Sequence, residues 1–269
     1  MAKRTVMKSP KLNLMRDVAI EAALRAGKVL RKYYREGRFH VAEKPGAGLV
    51  TNADLEAEAQ AVKTLKKAFP QFGFLTEEAQ PLAASCPGRW IIDPLDGTTN
   101  FVHGFPMFCV SIAAEWEGEG VVGVIYHPIL NDLYVAVKGK GAFLNGERIH
   151  VSSTEQVSEA LLTTGFTYKK EQALKQEMTA FERLSSSSRA VRRPGSAALD
   201  LAFTACGVFD GFWEQHLSPW DVAAGALLVL EAGGKVTNFS GKSFDIHSKE
   251  ILASNGLLHS VLQGELKRS

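Results

Sequence analysis

The hydrophobic period changes partway along this chain, and that change limits its architecture more than any other feature. Before residue 70 the apolar residues recur at helical spacing. Leu14, Val18, Ala22, Ala26, Val29, Leu30 and Tyr33 predict a helix over 11–36, closed by Gly37. "LVTNADLEAEAQAVKTLKKAF" predicts a second, with Thr51 as N-cap and Pro70 just past its end, and the intervening "KPGAG" reads as a loop. "FGFLTEE" and "RWIID" are short apolar runs that end in acids, as buried strands with charged ends would. From Phe108 the segments "FCVSIAAEW", "VVGVIYHP", "DLYVAVKG" and "AFLNGERIHV" follow one another, separated by "EGEG" and "NG" turn chemistry. They predict strands paired sequentially and antiparallel. After about residue 155 strands and helices alternate. A strand is expected near 160–166, a helix near 172–184, a loop at the serine run 185–188, and a strand at "AVRR". Then come a helix at "SAALDLAFTACG", a strand at "VFDGFWE" and a helix at "SPWDVAAGALLVLEAGG", which has Ser218 and Pro219 at its start and a glycine pair at its end. Strands near 235–238 and 250–254 and a helix from about 257 complete the pattern. The expected class is mixed α/β (α+β), with sheets layered against helices rather than a barrel or a simple doubly wound sheet. Two halves, 1–150 and 151–269, are expected to meet near 147–155 and to act as one unit.

At 269 residues and 45% hydrophobic content the chain can bury a sizeable core. Its net charge of +2 gives no general reason to expect nucleic acid as a partner. The basic start "MAKRTVMKSPKLNL" lacks an apolar stretch of the secretory kind, and the best apolar run, "GALLVLEAGG", is broken by Glu231. The three cysteines, Cys86, Cys109 and Cys206, form neither a disulfide framework nor a zinc pattern. A cytoplasmic protein with reduced, inert thiols is the expectation.

The acids are more informative. In "IIDPLDGTTNF", residues 91–101, Asp93 and Asp96 flank a proline at the end of an apolar run. Glu77 ends "FGFLTE", Asp221 opens the late helix and Asp54 opens the second one. Carboxylates at strand ends and helix starts can converge, and a hard divalent cation such as Mg²⁺ takes oxygen ligands of this kind. Pro94 offers no N–H, so the chain should leave the ladder there and free the Leu95 carbonyl. Gly97 permits close approach, and the N–H groups of Gly97, Thr98 and Thr99 should open a short helix suited to an anion. Metal-binding carboxylates beside free amides suit a phosphate ester. Singly, each acid has a plainer reading: Asp54 and Asp221 occupy capping-box positions after Thr51 and Ser218, Asp93 and Asp96 could be turn residues, and Glu77 and Glu78 a solvated pair. The plainer readings do not explain why these acids together complete one metal-and-phosphate set. The seven histidines show no metal-ligand spacing, and no G-x-S-x-G, P-loop or G-x-G-x-x-G motif is present. Arg189, Arg192 and Arg193 read as a solvated strand end, with a site for a phosphorylated ligand as the alternative.

The blocks "LVTNAD", "LTEE", "WIIDPLDGTTNFVHGFP", "GSAALDLA", "DGFWE" and "PWDVAAG", in this order along most of the chain, resemble the inositol monophosphatase family of Mg²⁺-dependent, lithium-sensitive phosphatases. One departure is Thr76, where the family usually has glycine before the two glutamates. The resemblance implies a layered αβαβα sandwich, usually a homodimer, with two or three Mg²⁺ ions. Glu77, Asp93 and the Leu95 carbonyl would hold a first metal; Asp93, Asp96 and Asp221 a second; Glu77 would help a third through waters. The Thr98 hydroxyl and Glu77 would position and deprotonate the attacking water, with Asp54 supporting Thr98. The amides of Gly97 and Thr98 would bind phosphate. Ala197, Glu214 and Asp221 would face the alcohol part of the substrate, with Gly195 and Ser196 shaping that wall. Lys44 stands before the second helix in a loop that varies within the family, so the resemblance leaves its role open.

The expected reaction is hydrolysis of a phosphate monoester, with myo-inositol monophosphate favoured. Fructose 1,6-bisphosphate and 3′-phosphoadenosine 5′-phosphate are the alternatives, although nucleotide phosphatases of this kind usually read D-G-T-K-x-F where this chain reads "DGTTNF". An aspartyl-phosphate mechanism fits poorly, because Asp93 and Asp96 are three apart and a D-x-D-G-T nucleophile motif needs two. A non-enzymatic role with an RNA, protein or transcription partner would leave the acid set without a purpose.

Overall fold

The computed structural model describes residues 11–44, 48–166 and 172–267. The N-terminal part contains Leu12–Glu36 (α1), Val41–Lys44 (β1), Gly48–Thr51 (β2), Asn52–Ala68 (α2), Gly73–Thr76 (β3), Gly88–Asp96 (β4) and Thr98–Val102 (α3). Cys109–Trp116 (β5), Glu119–His127 (β6), Asp132–Val137 (β7), Gly141–Leu144 (β8) and Glu147–Ile149 (β9) form the meander. Then follow Leu161–Thr164 (β10), Gln172–Ser187 (α4), Ala190–Arg192 (β11), Ala197–Ala205 (α5), Gly211–Gln215 (β12), Pro219–Glu231 (α6), Lys235–Thr237 (β13), Glu250–Ser254 (β14) and His259–Lys267 (α7).

Two sheets result. The seven-stranded one runs β3 to β9 in chain order, parallel only between β3 and β4, so the sequential antiparallel pairing expected of the meander is present. The five-stranded sheet has the order β11-β10-β12-β14-β13.

Alternation along the strands makes the layers. Trp90 and Ile92 of β4 enter a core with Ala19, Ala23 and Leu30 of α1 and Ala57, Ala61 and Leu65 of α2. Ile91, between them, faces the opposite way into a core with α5 and α6, and Phe212, Ile251 and Ala253 of the second sheet close that core from the far side. Trp213 and Leu252 point outward again, onto Ala180 and Leu184 of α4 and Leu262 and Leu266 of α7. The order is helix, sheet, helix, sheet, helix, which is the layered sandwich expected. Strands buried on both faces need near-continuous apolar runs, and this is why "RWIID" does not alternate polar with apolar.

Two local expectations need correction, and one boundary is confirmed. "KPGAG" was read as loop, but its flanks pair as the β1–β2 hairpin, Lys44 opposite Gly48; residues 45–47 lie outside the described residues. Val41, Ala42 and Glu43 are all exposed, so the strand shows no apolar alternation to detect. The second helix starts at Asn52, and Thr51, extended at φ −123° and ψ 164°, caps it as expected. Helix α4 runs through most of the serine run: the Ser186, Ser187 and Ser188 hydroxyls donate to the carbonyls of Glu182, Arg183 and Leu184 four residues back, at 2.6, 3.0 and 2.6 Å. This back-bonding lets serines continue a helix that their propensity disfavours.

His259 pins α7 to the second sheet. It is 1% exposed, with Nε2 at 2.9 Å from Thr237 Oγ1 and Nδ1 at 2.9 Å from Ser254 Oγ. Burial, with Lys235 nearby, lowers its pKa from 6.5 to about 4. The folded state therefore refuses a proton that the unfolded chain accepts. The contribution is whole above the unfolded pKa and is lost as pH falls through the folded one. Denaturant titration should show about 3 kcal/mol lost from this group between pH 7 and pH 4. A His259→Gln variant should lack that part of the slope; parallel curves for the two proteins would contradict this assignment.

Candidate active site

Strands β3 and β4 are parallel and end at the same sheet edge, so Glu77 and Asp93 emerge side by side; the Glu77 amide donates to the Ile92 carbonyl at 3.2 Å. Pro94 was expected to take the chain out of the ladder. Pairing with β5 is instead interrupted and resumed: Asp93 stands opposite Ser111 and Asp96 opposite Cys109, so Pro94 and Leu95 face the single residue Val110. This is a β-bulge, a place where proline's missing N–H is tolerated and the bulged strand is bent. Gly97 follows with φ 94°, and α3 begins at Thr98 as expected.

Four acids are close enough here for their charges to act on one another, those of Glu77, Asp96 and Asp221 on Asp93. Asp93 is 2% exposed, and its Oδ1 accepts from the Leu95 amide at 2.9 Å. Its pKa stands well above the usual carboxylate value, first through burial and then through the charges of Glu77, Asp96 and Asp221. Asp221 sits in the first turn of α6, where its Oδ2 accepts from the Ser218 amide at 2.7 Å; burial and then the Asp96 charge push it up to about 8. Asp96 is pushed up to about 6 by burial, against the hydrogen bonds it accepts. Those bonds come from the Ser196 hydroxyl at 2.6 Å and the Ala198 amide at 2.8 Å, so Asp96 also caps α5. Ser196 is therefore buried behind Asp96 with its hydroxyl committed to the carboxylate, while Ala197 begins α5 beside it.

Asp54 serves two functions. Its Oδ2 accepts from the Thr51 amide at 2.8 Å in a capping box, and its Oδ1 lies 3.2 Å from the Thr98 hydroxyl. That hydroxyl is also 3.1 Å from the Leu95 carbonyl oxygen, so one proton is shared between two acceptors. Burial raises the Asp54 pKa, with Thr51 opposing. The plain capping readings of Asp54 and Asp221 are thus correct without excluding a second role.

Lys44, left open by the sequence, reaches in from β1. Its Nζ is 2.9 Å from Glu77 Oε1 and also bonds Glu78. Burial works against its charge, but the hydrogen bond to Glu78 and the charge of Glu77 leave its pKa raised. Burial raises Glu78 to about 7, and its amide donates to Glu58 Oε2 at 2.9 Å. Thr76, the departure from the family pattern, is buried, with its hydroxyl 3.4 Å from the Ala79 amide in the turn after Glu77.

On the opposite side, burial and then the charges of Asp200 and Asp221 raise Glu214, on β12, well above its usual pKa. A Cβ on Gly165 would lie 2.2 Å from the Glu214 carboxylate, so glycine there makes the room this side chain fills. Asn100 of α3 donates to the carbonyls of Pro194 at 2.8 Å and Gly195 at 3.2 Å, tying the Gly195–Ala197 wall to the helix that carries Thr98. Thr99 lies on the same short helix.

Sequence reasoning missed Asn100, Glu58, Gly165 and Asp200. Asn100 stood inside the quoted motif, and Glu58 is one helical turn past Asp54; Gly165 gave no signal, because its role depends on a neighbouring strand.

All the oxygens gathered here are hard donors, and burial raises Asp93, Asp96 and Asp221 first, with neighbouring carboxylate charges adding to it. A hard divalent cation is the charge that relieves such a cluster, so the residues fit Mg²⁺. Among the described residues no group of three acids, histidines or cysteines stands at ligand spacing; Lys44 and the Leu95 and Ser218 amides bond Glu77, Asp93 and Asp221.

The inositol monophosphatase family pattern matches residues 11–269. An inositol-1-monophosphatase of Caulobacter vibrioides is 44% identical over 253 residues, covering 92% of this chain and 99% of that protein. A protein of Salmonella typhimurium called Nus factor SuhB is 42% identical over 243 residues, covering 90% and 91%. The crystal structure of the extragenic suppressor protein suhB of Bartonella henselae superposes with a TM-score of 0.91 at 40% identity, covering 96% of this chain and 99% of that one. Sequence pattern, near full-length identity and superposition agree, and the chain belongs to the inositol monophosphatase family.

Proposed function

We propose that this protein hydrolyses a phosphate monoester with Mg²⁺, and that myo-inositol monophosphate is the favoured substrate, released as inositol and phosphate. The observation that supports the reading is the action of the Glu77, Asp96 and Asp221 charges on the buried Asp93, beside a threonine hydroxyl 3.2 Å from Asp54. Phosphate esters resist hydrolysis because their negative charge repels a nucleophile. Bound magnesium supplies Lewis acidity toward the phosphoryl oxygens and the attacking water.

Glu77, Asp93, Asp96, Asp221 and the Leu95 carbonyl would hold two or three ions. The Thr98 hydroxyl, oriented by Asp54, would accept a hydrogen bond from the attacking water and pass its own proton's hydrogen bond on, with Glu77 as the base. The Gly97 and Thr98 amides, which precede the first hydrogen-bonded turn of α3, would bind phosphate oxygens. Glu214, with Asp221, Gly195, Ala197 and the backbone around Ser196, would meet the alcohol. No protein nucleophile is required, which sets this reading apart from an aspartyl-phosphate route. A homodimer in the cytoplasm is the expected form; among the described residues no helix is long and apolar enough to cross a membrane.

Phosphate release should be measured on inositol monophosphates, fructose 1,6-bisphosphate and 3′-phosphoadenosine 5′-phosphate, with and without Mg²⁺ and Li⁺. The expected result is Mg²⁺-dependent, Li⁺-inhibited release, fastest from inositol monophosphates. Release from none of them would contradict the reading. A second reading, a transcription partner, is supported by relatives named Nus factor at similar identity. Tight, salt-sensitive RNA binding without any turnover would favour it over the first.

A further inference from the structure

Helix α2 carries two buried acids one turn apart on its inner face, and only the first has a role in the chemistry above. Asp54 lies 3.2 Å from the Thr98 hydroxyl. Glu58, four residues on, is 6% exposed, and its Oε2 accepts from the Glu78 amide at 2.9 Å. Residues four apart lie on one helix face, one above the other. Ala57, Ala61 and Leu65 seat that helix in the core beside β4, so α2 is a fixed span between the two contacts.

The turn that Glu58 meets is the one that carries Glu77. Three successive amides of this turn are held. Glu77 donates to the Ile92 carbonyl at 3.2 Å, Glu78 to Glu58, and Ala79 to the Thr76 hydroxyl oxygen at 3.4 Å. The first and third bonds come from the sheet itself; the second ties the turn to the helix layer. The Thr76 hydroxyl also bonds the Glu58 side chain. Burial works against the Glu58 charge, while the Glu78 amide and the Thr76 hydroxyl favour it, and the charges of Glu77 and Lys44 act on it as well. The Glu78 amide belongs to the peptide that joins Glu77 to Glu78, so fixing it sets the direction in which the Glu77 side chain leaves the main chain. Lys44 holds the ends of the Glu77 and Glu78 side chains. Glu58 holds main chain instead and takes no oxygen of Glu77.

We propose that Glu58 is a positioning residue: it holds the Glu78 amide from the same helix that holds Thr98 through Asp54, and so sets Glu77 against the Thr98 hydroxyl, the two groups that would activate the attacking water. The inference rests on the phosphatase reading and adds to it a residue that acts only through another.

The test compares Glu58→Ala, Glu58→Gln and Thr76→Val with the parent and with Glu231→Ala. Glu231 is the control because it makes the same kind of contact elsewhere, accepting from the Gly139 and Gly141 amides at 2.7 and 2.8 Å. Each protein is stripped with chelator and titrated with Mn²⁺, followed by electron paramagnetic resonance of the free ion; kcat and KM are then measured on inositol 1-phosphate with Mg²⁺. In Glu58→Ala the affinity for Mn²⁺ should fall by about tenfold, as on loss of an outer-shell partner. Its kcat should fall by roughly 100-fold, as on a misplacement of about 1 Å, with KM little changed. Glu58→Gln keeps an oxygen for the Glu78 amide and should recover most of both losses. Thr76→Val removes one donor to Glu58 and should shift both quantities the same way by less; it decides the matter if Glu58→Ala does not fold. Glu231→Ala should lower the melting temperature and leave Mn²⁺ affinity and kcat at the parent's values. Parental Mn²⁺ affinity and kcat in Glu58→Ala and Thr76→Val, losses no larger than those of Glu231→Ala, or a Glu58→Gln protein as impaired as Glu58→Ala would overturn this proposal and leave the phosphatase reading standing. A parent protein that binds no Mn²⁺ and releases no phosphate overturns both.

Discussion

Asp93→Asn is expected to abolish Mg²⁺-dependent phosphate release while making the metal-free protein more heat-stable. The two effects have one cause. Asp93 is buried among Glu77, Asp96 and Asp221, and its folded pKa is raised far above 3.8. A carboxyl whose pKa rises on folding gains stability as pH falls and costs stability at neutral pH, where the unfolded chain ionises it freely. Asparagine has the same shape, keeps an oxygen for the Leu95 amide at 2.9 Å, and carries no charge to repel its neighbours. The melting temperature in chelator should therefore rise. Turnover should fall by more than the roughly 10–100-fold that loss of an outer-shell partner costs a metal site, because Asp93 would bridge two ions. Mg²⁺ should raise the melting temperature of the parent and not of the variant, since a ligand stabilises only the state that binds it. Near-parental turnover, or a melting temperature below the parent's in chelator, would contradict this account of Asp93.

Gly97→Ala should be nearly as damaging, for a reason in the backbone. Gly97 has φ 94°, a region that strains any residue with a side chain, and a Cβ there would meet the Met107 carbonyl oxygen at 2.8 Å and the Phe108 Cα at 3.3 Å. Both neighbours are main chain, so relief requires moving either the Met107–Phe108 segment or the Asp96–Thr98 turn. The first underlies the Asn100 bond to the Met107 carbonyl at 2.7 Å; the second carries the site itself. A stability loss of about 1–3 kcal/mol is expected from the strained conformation, and a misplacement on the order of 1 Å costs roughly 100-fold in rate. Gly139→Ala is the control, because Gly139 has φ 74° and nothing within 4 Å of its Cβ position. It should show the backbone cost without the loss of turnover. Equal effects of the two substitutions on turnover would show that the Gly97 contact does not hold the site.

Much of this was readable from residue order, and the parts that were not have physical reasons. The antiparallel meander β5–β9 was plain because each strand is bounded by turn chemistry such as Asn145-Gly146. Helix α6 was plain because Ser218, Pro219 and the glycine pair 233–234 mark its ends. The β1–β2 hairpin was not, since its exposed strands carry no buried face to set a period. At the site, the acids could be named from their places at element ends, and in the structure the charges of Glu77, Asp96 and Asp221 act on the buried Asp93. What the sequence could not supply is which oxygen is already bonded. Ser196 was expected to shape the substrate wall, and its hydroxyl is already bonded to Asp96; Lys44 was left open, and it bonds Glu77 and Glu78. Both facts depend on elements about a hundred and about thirty-three residues away meeting in space. Gly165 is silent for the same reason, its value set wholly by the carboxylate of Glu214.

Binding of Mn²⁺, a paramagnetic stand-in for Mg²⁺, to chelator-stripped protein tests the central claim most directly, because it asks for the metal without asking for a substrate. Electron paramagnetic resonance of free Mn²⁺ during the titration should reveal two or three bound ions in the parent, competed by Mg²⁺, and a clear loss of binding in Asp93→Asn. A parent protein that binds no Mn²⁺, or an Asp93→Asn variant that binds it as the parent does, would mean that the clustered carboxylates are not a metal site.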